Sequence, residues 1–218
     1  MKWQGVIERG QYEVSTLESR DAIANAAKEY DWQTVVRLLD VDSSLVNTWR
    51  VGGKSWYAPL HQAAHGGASS AVVERLITLG AWRSLCTAGG ERAVDIARAC
   101  RHEHLVGMLE PILAHEIDAS VIVPMQRHFH DVIRDRIAAF GVLAASLRFP
   151  ELGPVMEYAS ATFWFPIPGM RGGFSFWLTD DAARPTLMTE SWSRVVEGSG
   201  ERHEVTPAGA RLVDAGFV

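Results

Sequence analysis

Cysteine is scarce in this chain of 218 residues, with Cys86 and Cys100 the only two. Neither sits in a CxxC or alternating Cys/His pattern, which excludes a disulfide framework or a thiolate zinc site and leaves reduced thiols as the default. Also missing is any run of ~18 apolar residues, the length a membrane-crossing helix needs. The start MKWQGVIERGQYEV lacks the unbroken apolar core of a secretory signal. A cytoplasmic protein with no membrane partner is therefore expected. Positive charge is in deficit, 21 Lys+Arg against 26 Asp+Glu for a net charge of -5, so no general field draws the chain onto nucleic acid. There is no Walker loop, dinucleotide fingerprint or G-x-S-x-G elbow, and no cofactor is expected.

What is present is the composition of a folded protein: 47% hydrophobic against 22% charged residues rules out a largely disordered chain. The length fits one large domain or two small ones. Eight tryptophans are the oddity, and they direct attention to cores, pockets and interfaces. Three segments align with one another, beginning at Ala22, Pro59 and Ala93, spaced by 37 and 34 residues. In each, an apolar residue (Ile23, Leu60, Val94) is followed three positions later by alanine (Ala26, Ala63, Ala97), and a second apolar stripe comes after it. The pattern predicts pairs of short antiparallel helices with one narrow face.

The run APLHQAA followed by VVERLITLGA resembles an ankyrin repeat, whose unit opens T-P-L-H-x-A. The resemblance covers roughly residues 20 to 113. It implies an ankyrin-repeat solenoid of about three repeats over residues 20–115, after an N-terminal extension 1–19 and before an α+β domain at 116–218 with an antiparallel sheet. It also implies that His61 is a structural hydrogen-bonding residue. The chain departs from the pattern in the long connection Asn47–Tyr57, which carries Trp49, Trp56 and Tyr57 beside Gly52-Gly53, and in Trp82, where a turn acid is usual. Long loops are commonly functional. Those four aromatics are candidate binding residues on a finger-side surface, or else pack against the second half of the same chain.

From Pro124 the residues Met125, Phe129, Val132, Ile133 and Ile137 share one helical face. Val142–Leu147 reads as a further helix, with a short helical piece through Met156 and Glu157. Strands are expected at Thr162–Ile167, Gly173–Leu178, Leu187–Val196 and Arg202–Val205, rich in aromatic and β-branched residues. Thr206 and Pro207 read as the cap and first turn of a closing helix that carries Leu212 and Val213 and stops at Gly216. The stretches LRFPEL, FPIPGMRGGF and ESWSRVVEGSGERHEVTP resemble the C-terminal region of bacterial ankyrin-repeat proteins of unassigned role, which implies architecture and carries no activity.

Candidate chemistry is sparse. His61 and His65 have helical metal-pair spacing, but Gln62 stands where a zinc protease has Glu, and no metal is expected. His128 lies three residues before Asp131, the arrangement of an oriented imidazole, or of an ordinary surface hydrogen bond. Along the third strand Glu190, Trp192 and Arg194 alternate onto one face. Inside a cavity these supply an acid or base, a stacking ring and an anion holder, with His203 and Glu157 nearby; outside it they are an ordinary ion pair. The function that follows is an ankyrin-repeat binding or adaptor protein recognising a protein or small organic ligand through the finger loop and the junction with the α+β region. Its rival is a small cofactor-independent isomerase, cyclase or hydrolase whose catalytic candidates are Glu190, Arg194, His128 and His203. Oligomeric state is not legible.

Overall fold

The structure, a computed structural model, describes residues 1–179, 181, 184–194 and 198–216. The expected strand positions Val195 and Val196 lie outside the described residues. The chain divides into two compact units, Glu8–Ile112 and Met1–Ile7 with Leu113–Val218. Among the described residues no helix is long and apolar enough to cross a membrane.

The unit Glu8–Ile112 holds six helices: α1 (Val14–Lys28), α2 (Trp32–Val41), α3 (Pro59–Gly66), α4 (Ser70–Thr78), α5 (Ala93–Ala99) and α6 (Glu103–Leu109). Local signals set their ends. Asp31 precedes α2 and its carboxylate accepts from Thr34 N at 3.1 Å, satisfying one of the first-turn amides. Pro59 opens α3, where its missing N–H is no loss. Within each pair one residue turns the chain through the left-handed region: Tyr30 (φ 59), Gly67 (φ 61) and Arg101 (φ 61). Gly67 also meets a close approach, since a Cβ there would lie 2.6 Å from the His102 ring.

Ile23, Leu60 and Val94 are buried together with Ala26, Ala63 and Ala97, and the second helices add Val35, Leu39, Val73, Leu76, Leu105 and Leu109 to the same core. The alanines permit close approach, and each branched side chain contributes about 1.5–3 kcal/mol by leaving water. His61 is buried in this unit: Ala58 N donates to its Nδ1 at 3.1 Å, and Nε2 lies 2.9 Å from Leu85 O. An accepting Nδ1 requires the hydrogen on Nε2, so His61 donates to the carbonyl. It joins the start of α3 to a strand-like turn 24 residues on. Asp95 does the first half of this task for α5, accepting from Arg92 N at 3.0 Å.

The expected fold class is corrected by these elements. Among the described residues there are eight α-helices and one five-stranded antiparallel sheet in the C-terminal region, and no solenoid of ankyrin repeats is indicated. The helix pairs differ in length from one to the next, with 15 and 10, 8 and 9, and 7 and 7 residues. The first seven residues of the chain belong with the sheet. Periodic apolar and small residues specify that short helices pair through narrow faces; they do not specify a repeating fold.

The second unit contains α7 (Ala119–Ala138), the short α8 (Gly153–Met156) and strands β1 (Phe163–Ile167), β2 (Gly172–Leu178), β3 (Leu187–Ser193), β4 (Ser199–Thr206) and β5 (Gly209–Ala215), hydrogen-bonded in sequence order. The helix begins before Pro124, because Asp118 caps it by accepting from Ser120 N at 2.8 Å. Met125, Phe129, Val132, Ile133 and Ile137 form its buried stripe. Of the helix expected over Val142–Leu147 only a 3-10 turn at Ala144–Ser146 exists.

The closing helix is a second correction. Thr206 pairs with Gly209 across a two-residue turn, and β5 runs back along β4. Pro207 fixes a hairpin turn, so the Thr-Pro pair read as a helix start is strand-end chemistry. At the other edge the chain's first residues lie beside β1: Trp164 N donates to Met1 O at 2.8 Å and Trp3 N to Trp164 O at 2.8 Å. Trp3 is buried, with Nε1 donating to Arg148 O at 2.9 Å.

The two faces of the sheet differ. Cross-strand partners share a face, so Phe163, Phe176, Thr189 and His203 form one row and Phe165, Phe174, Ser191 and Glu201 the next. This face runs from phenylalanine at β1–β2 to hydroxyl and charged groups at β3–β4. Phe129 of α7 packs on Phe176 with ring centroids 5.0 Å apart. His130, also on α7, donates from Nε2 to Pro150 O at 2.8 Å. Burial nonetheless lowers its pKa below the ordinary 6.5. The folded imidazole then binds fewer protons than the unfolded one, so stability is full above 6.5 and falls as pH drops below it. The urea midpoint is expected to be lower at about pH 5.5 than at about pH 7.5, and His130→Gln to narrow the difference. An unchanged difference in that variant would assign the proton elsewhere.

Candidate functional site

The loop Asn47–Tyr57 does not present all its aromatics. Trp49 and Trp82 are 2% and 5% exposed, so both are withdrawn from any recognition surface. The Arg20 guanidinium lies 5.5 Å from the Trp49 ring and donates to Trp49 O at 2.9 Å. Asn47 clamps the turn before Trp82, donating to Gly80 O and accepting from Trp82 N, both at 2.8 Å. Trp56 and Tyr57 remain half-buried and line a groove of about 170 Å³ with Lys28, Arg50, Ser55 and Gln62. Trp56 has φ 56, unusual for a bulky side chain. Below Arg50, Asp21 is held between two guanidiniums, Arg9 at 2.7 Å and Arg50 at 3.9 Å. The Arg9 hydrogen bond holds the Asp21 carboxyl below its usual range.

A second concavity, of about 330 Å³, lies between α7 and strands β4 and β5. Val132, Asp135, Arg136 and Ala139 face it from the helix, with Glu201 and His203 from β4 and Leu212 from β5. These positions recur every three or four residues on the helix and every second residue on the strands, as one-faced elements require. Arg136 is fixed by Ser191 Oγ at 3.0 Å from Nε, Glu201 Oε1 at 2.8 Å from Nη1, and Ser199 Oγ at 2.7 Å from Nη2. Burial lowers the pKa of His203, with the Glu201 charge acting in the opposite direction.

The four catalytic candidates are not brought together. Glu190 pairs with Arg202, whose Nε donates to Oε1 at 2.7 Å, and it occupies the sheet face opposite His203 because the paired Thr189 and His203 are one residue out of step with it. Arg194 is exposed and lies 5.4 Å from the Trp192 ring, which in turn stacks on Trp164 at 5.2 Å. His128 is one helical turn before Val132 and does not line the cleft. His61 faces Leu85, whereas His65 Nδ1 lies 2.7 Å from the Tyr30 hydroxyl. Among the described residues no three His, Cys, Asp or Glu side chains gather as a metal would require.

Asp135, Arg136 and Glu201 escape a motif search because no motif contains them. The available signal is Arg136 itself, a charge inside the apolar stripe of α7, which needs a partner opposite. Lys28 and Arg50 are likewise ordinary surface cations until the loop folds beside α1. In comparisons with known proteins the chain matches no family model and no curated protein.

Proposed function

We propose that this chain is a binding protein that recognises an acidic segment of a partner protein, one acidic side chain entering the groove beside Trp56 and Tyr57. The observation that carries the proposal is the lining: its charged side chains, Lys28 and Arg50, are both cationic in a chain of net charge -5. Such a local reversal of sign attracts a partner segment of the opposite, acidic sign. The volume of about 170 Å³ falls below the roughly 300–1,000 Å³ of small-molecule sites and favours a side chain over a free metabolite. Tryptophan and tyrosine are frequent energetic anchors of interfaces. Holding Trp56 in the left-handed region costs about 1 kcal/mol, strain of the kind found at ligand clamps. Cys86 and Cys100 are half-buried and not joined by a disulfide, which supports action in a reducing compartment such as the cytoplasm. The enzyme alternative has less support, since Glu190 and His203 do not share a sheet face.

Fluorescein-labelled hexaglutamate tests the proposal by anisotropy. It is expected to bind the full chain saturably, to weaken with added salt, and to lose about tenfold in affinity with either Trp56→Ala or Arg50→Gln. Absence of binding, or binding of both variants as tight as that of the unaltered chain, would remove the groove from recognition.

A further inference from the structure

We infer that the cleft between α7 and strands β4 and β5 is a separate binding site, for a small organic ammonium ion with a compact apolar body. Its volume of about 330 Å³ falls at the lower end of the roughly 300–1,000 Å³ range of small-molecule sites.

Charge selects the head group. The cleft holds two carboxylates, Asp135 and Glu201, against one guanidinium, Arg136. Arg136 is withdrawn, its side chain 9% exposed, and all three of its nitrogens are engaged by Ser191, Glu201 and Ser199. Glu201 balances it yet stays 30% exposed, with Oε1 taken by the guanidinium. Asp135 is exposed and has no ion-pair partner among the described residues. The charge offered to a ligand is therefore carboxylate, which a protonated amine answers with short, charge-assisted hydrogen bonds. His203 brings an imidazole to the same cleft. Burial lowers its pKa and so favours the neutral ring, which repels no cation and supplies an acceptor nitrogen.

The walls select the body. Val132 and Ala139 from α7 face Leu212 from β5 across the opening. Leu212 is 52% exposed, an apolar side chain at a polar cleft that an aliphatic ring would cover. The inner sheet face accounts for the position of the site: phenylalanines fill the space under α7 at β1–β2, and the polar rows at β3–β4 leave it open.

Three probes of one shape separate these contributions: cyclohexylammonium, cyclohexanol and cyclohexanecarboxylate, each titrated into the full chain while the His203 imidazole resonances are followed by NMR. The ammonium ion is expected to bind most tightly and the carboxylate least. Asp135→Asn should weaken the ammonium about tenfold and leave the alcohol unchanged, whereas Leu212→Ser should weaken both. Both positions are exposed, and circular dichroism melts confirm that each variant is folded. Preferential binding of the carboxylate, equal binding of ammonium and alcohol, or unmoved His203 resonances with every probe would each overturn the inference.

Discussion

Gly173→Ala is expected to destabilise the sheet unit by about 3 kcal/mol or to prevent its folding. A Cβ at this position would lie 2.1 Å from Phe165 O, 2.9 Å from Pro166 Cα and 3.0 Å from Phe165 C. All three atoms are backbone of β1, and no side-chain rotation relieves the clash. Moving β1 away breaks its ladder with β2 on one side and its bonds to Met1 and Trp3 on the other. Gly107, within α6, has open space where its Cβ would be. Gly107→Ala is therefore the control, expected to be neutral or to stabilise by up to about 1 kcal/mol. Urea titration followed by near-ultraviolet circular dichroism measures both. A wild-type midpoint for Gly173→Ala would show that β1 and β2 can separate there at little cost.

His61→Ala is expected to cost about 2–4 kcal/mol, the sum of two lost buried hydrogen bonds and a small cavity. The Ala58 amide and the Leu85 carbonyl would each lose their imidazole partner. His61→Gln retains a donor and an acceptor on one side chain and should recover part of the loss. Hydrogen exchange at the Ala58 amide separates this from a general packing defect, because it should accelerate in the alanine variant beyond the change at Val73. Unaltered protection at Ala58 together with unaltered stability would show that water replaces the imidazole without penalty.

The helical half was legible where side-chain periodicity and end signals agree. Ile23, Leu60 and Val94 with their following alanines marked the buried faces, and Pro59 and Asp31 marked helix starts. The stripe from Met125 to Ile137 was equally plain, although Asp118 starts that helix a turn and a half earlier than Pro124 led one to expect. The end of the chain misled for a physical reason. A Thr-Pro pair serves both helix starts and hairpin turns, and Leu212 beside Val213 fits a helical face as readily as a strand exposed on both sides. The candidate groove was only half legible. The aromatics of the long loop were visible, but which of them remain outside depends on Arg20 and Asn47, whose partners are 29 and 33 residues away in sequence. Glu190 and His203 lie on different strands, and alternation along each strand by itself leaves their relative faces open. Cross-strand register, which sequence does not reveal, put them on opposite faces.

The discontinuous make-up of the sheet unit imposes an order on folding. Residues 8–112 form one uninterrupted stretch, and their contacts close over short distances along the chain, which favours early and fast formation. Trp3 finds its backbone partner at Trp164, across the whole of that stretch. The equilibrium penalty for so large a loop is modest, since each doubling of its length adds only about 0.6 kcal/mol. The penalty in time is larger, because during synthesis residues 1–7 must stay unpaired until β1 has emerged. The indole of Trp3 thus reports the late assembly of the sheet, and a chain stalled before β1 carries that segment exposed while the helical unit is already folded.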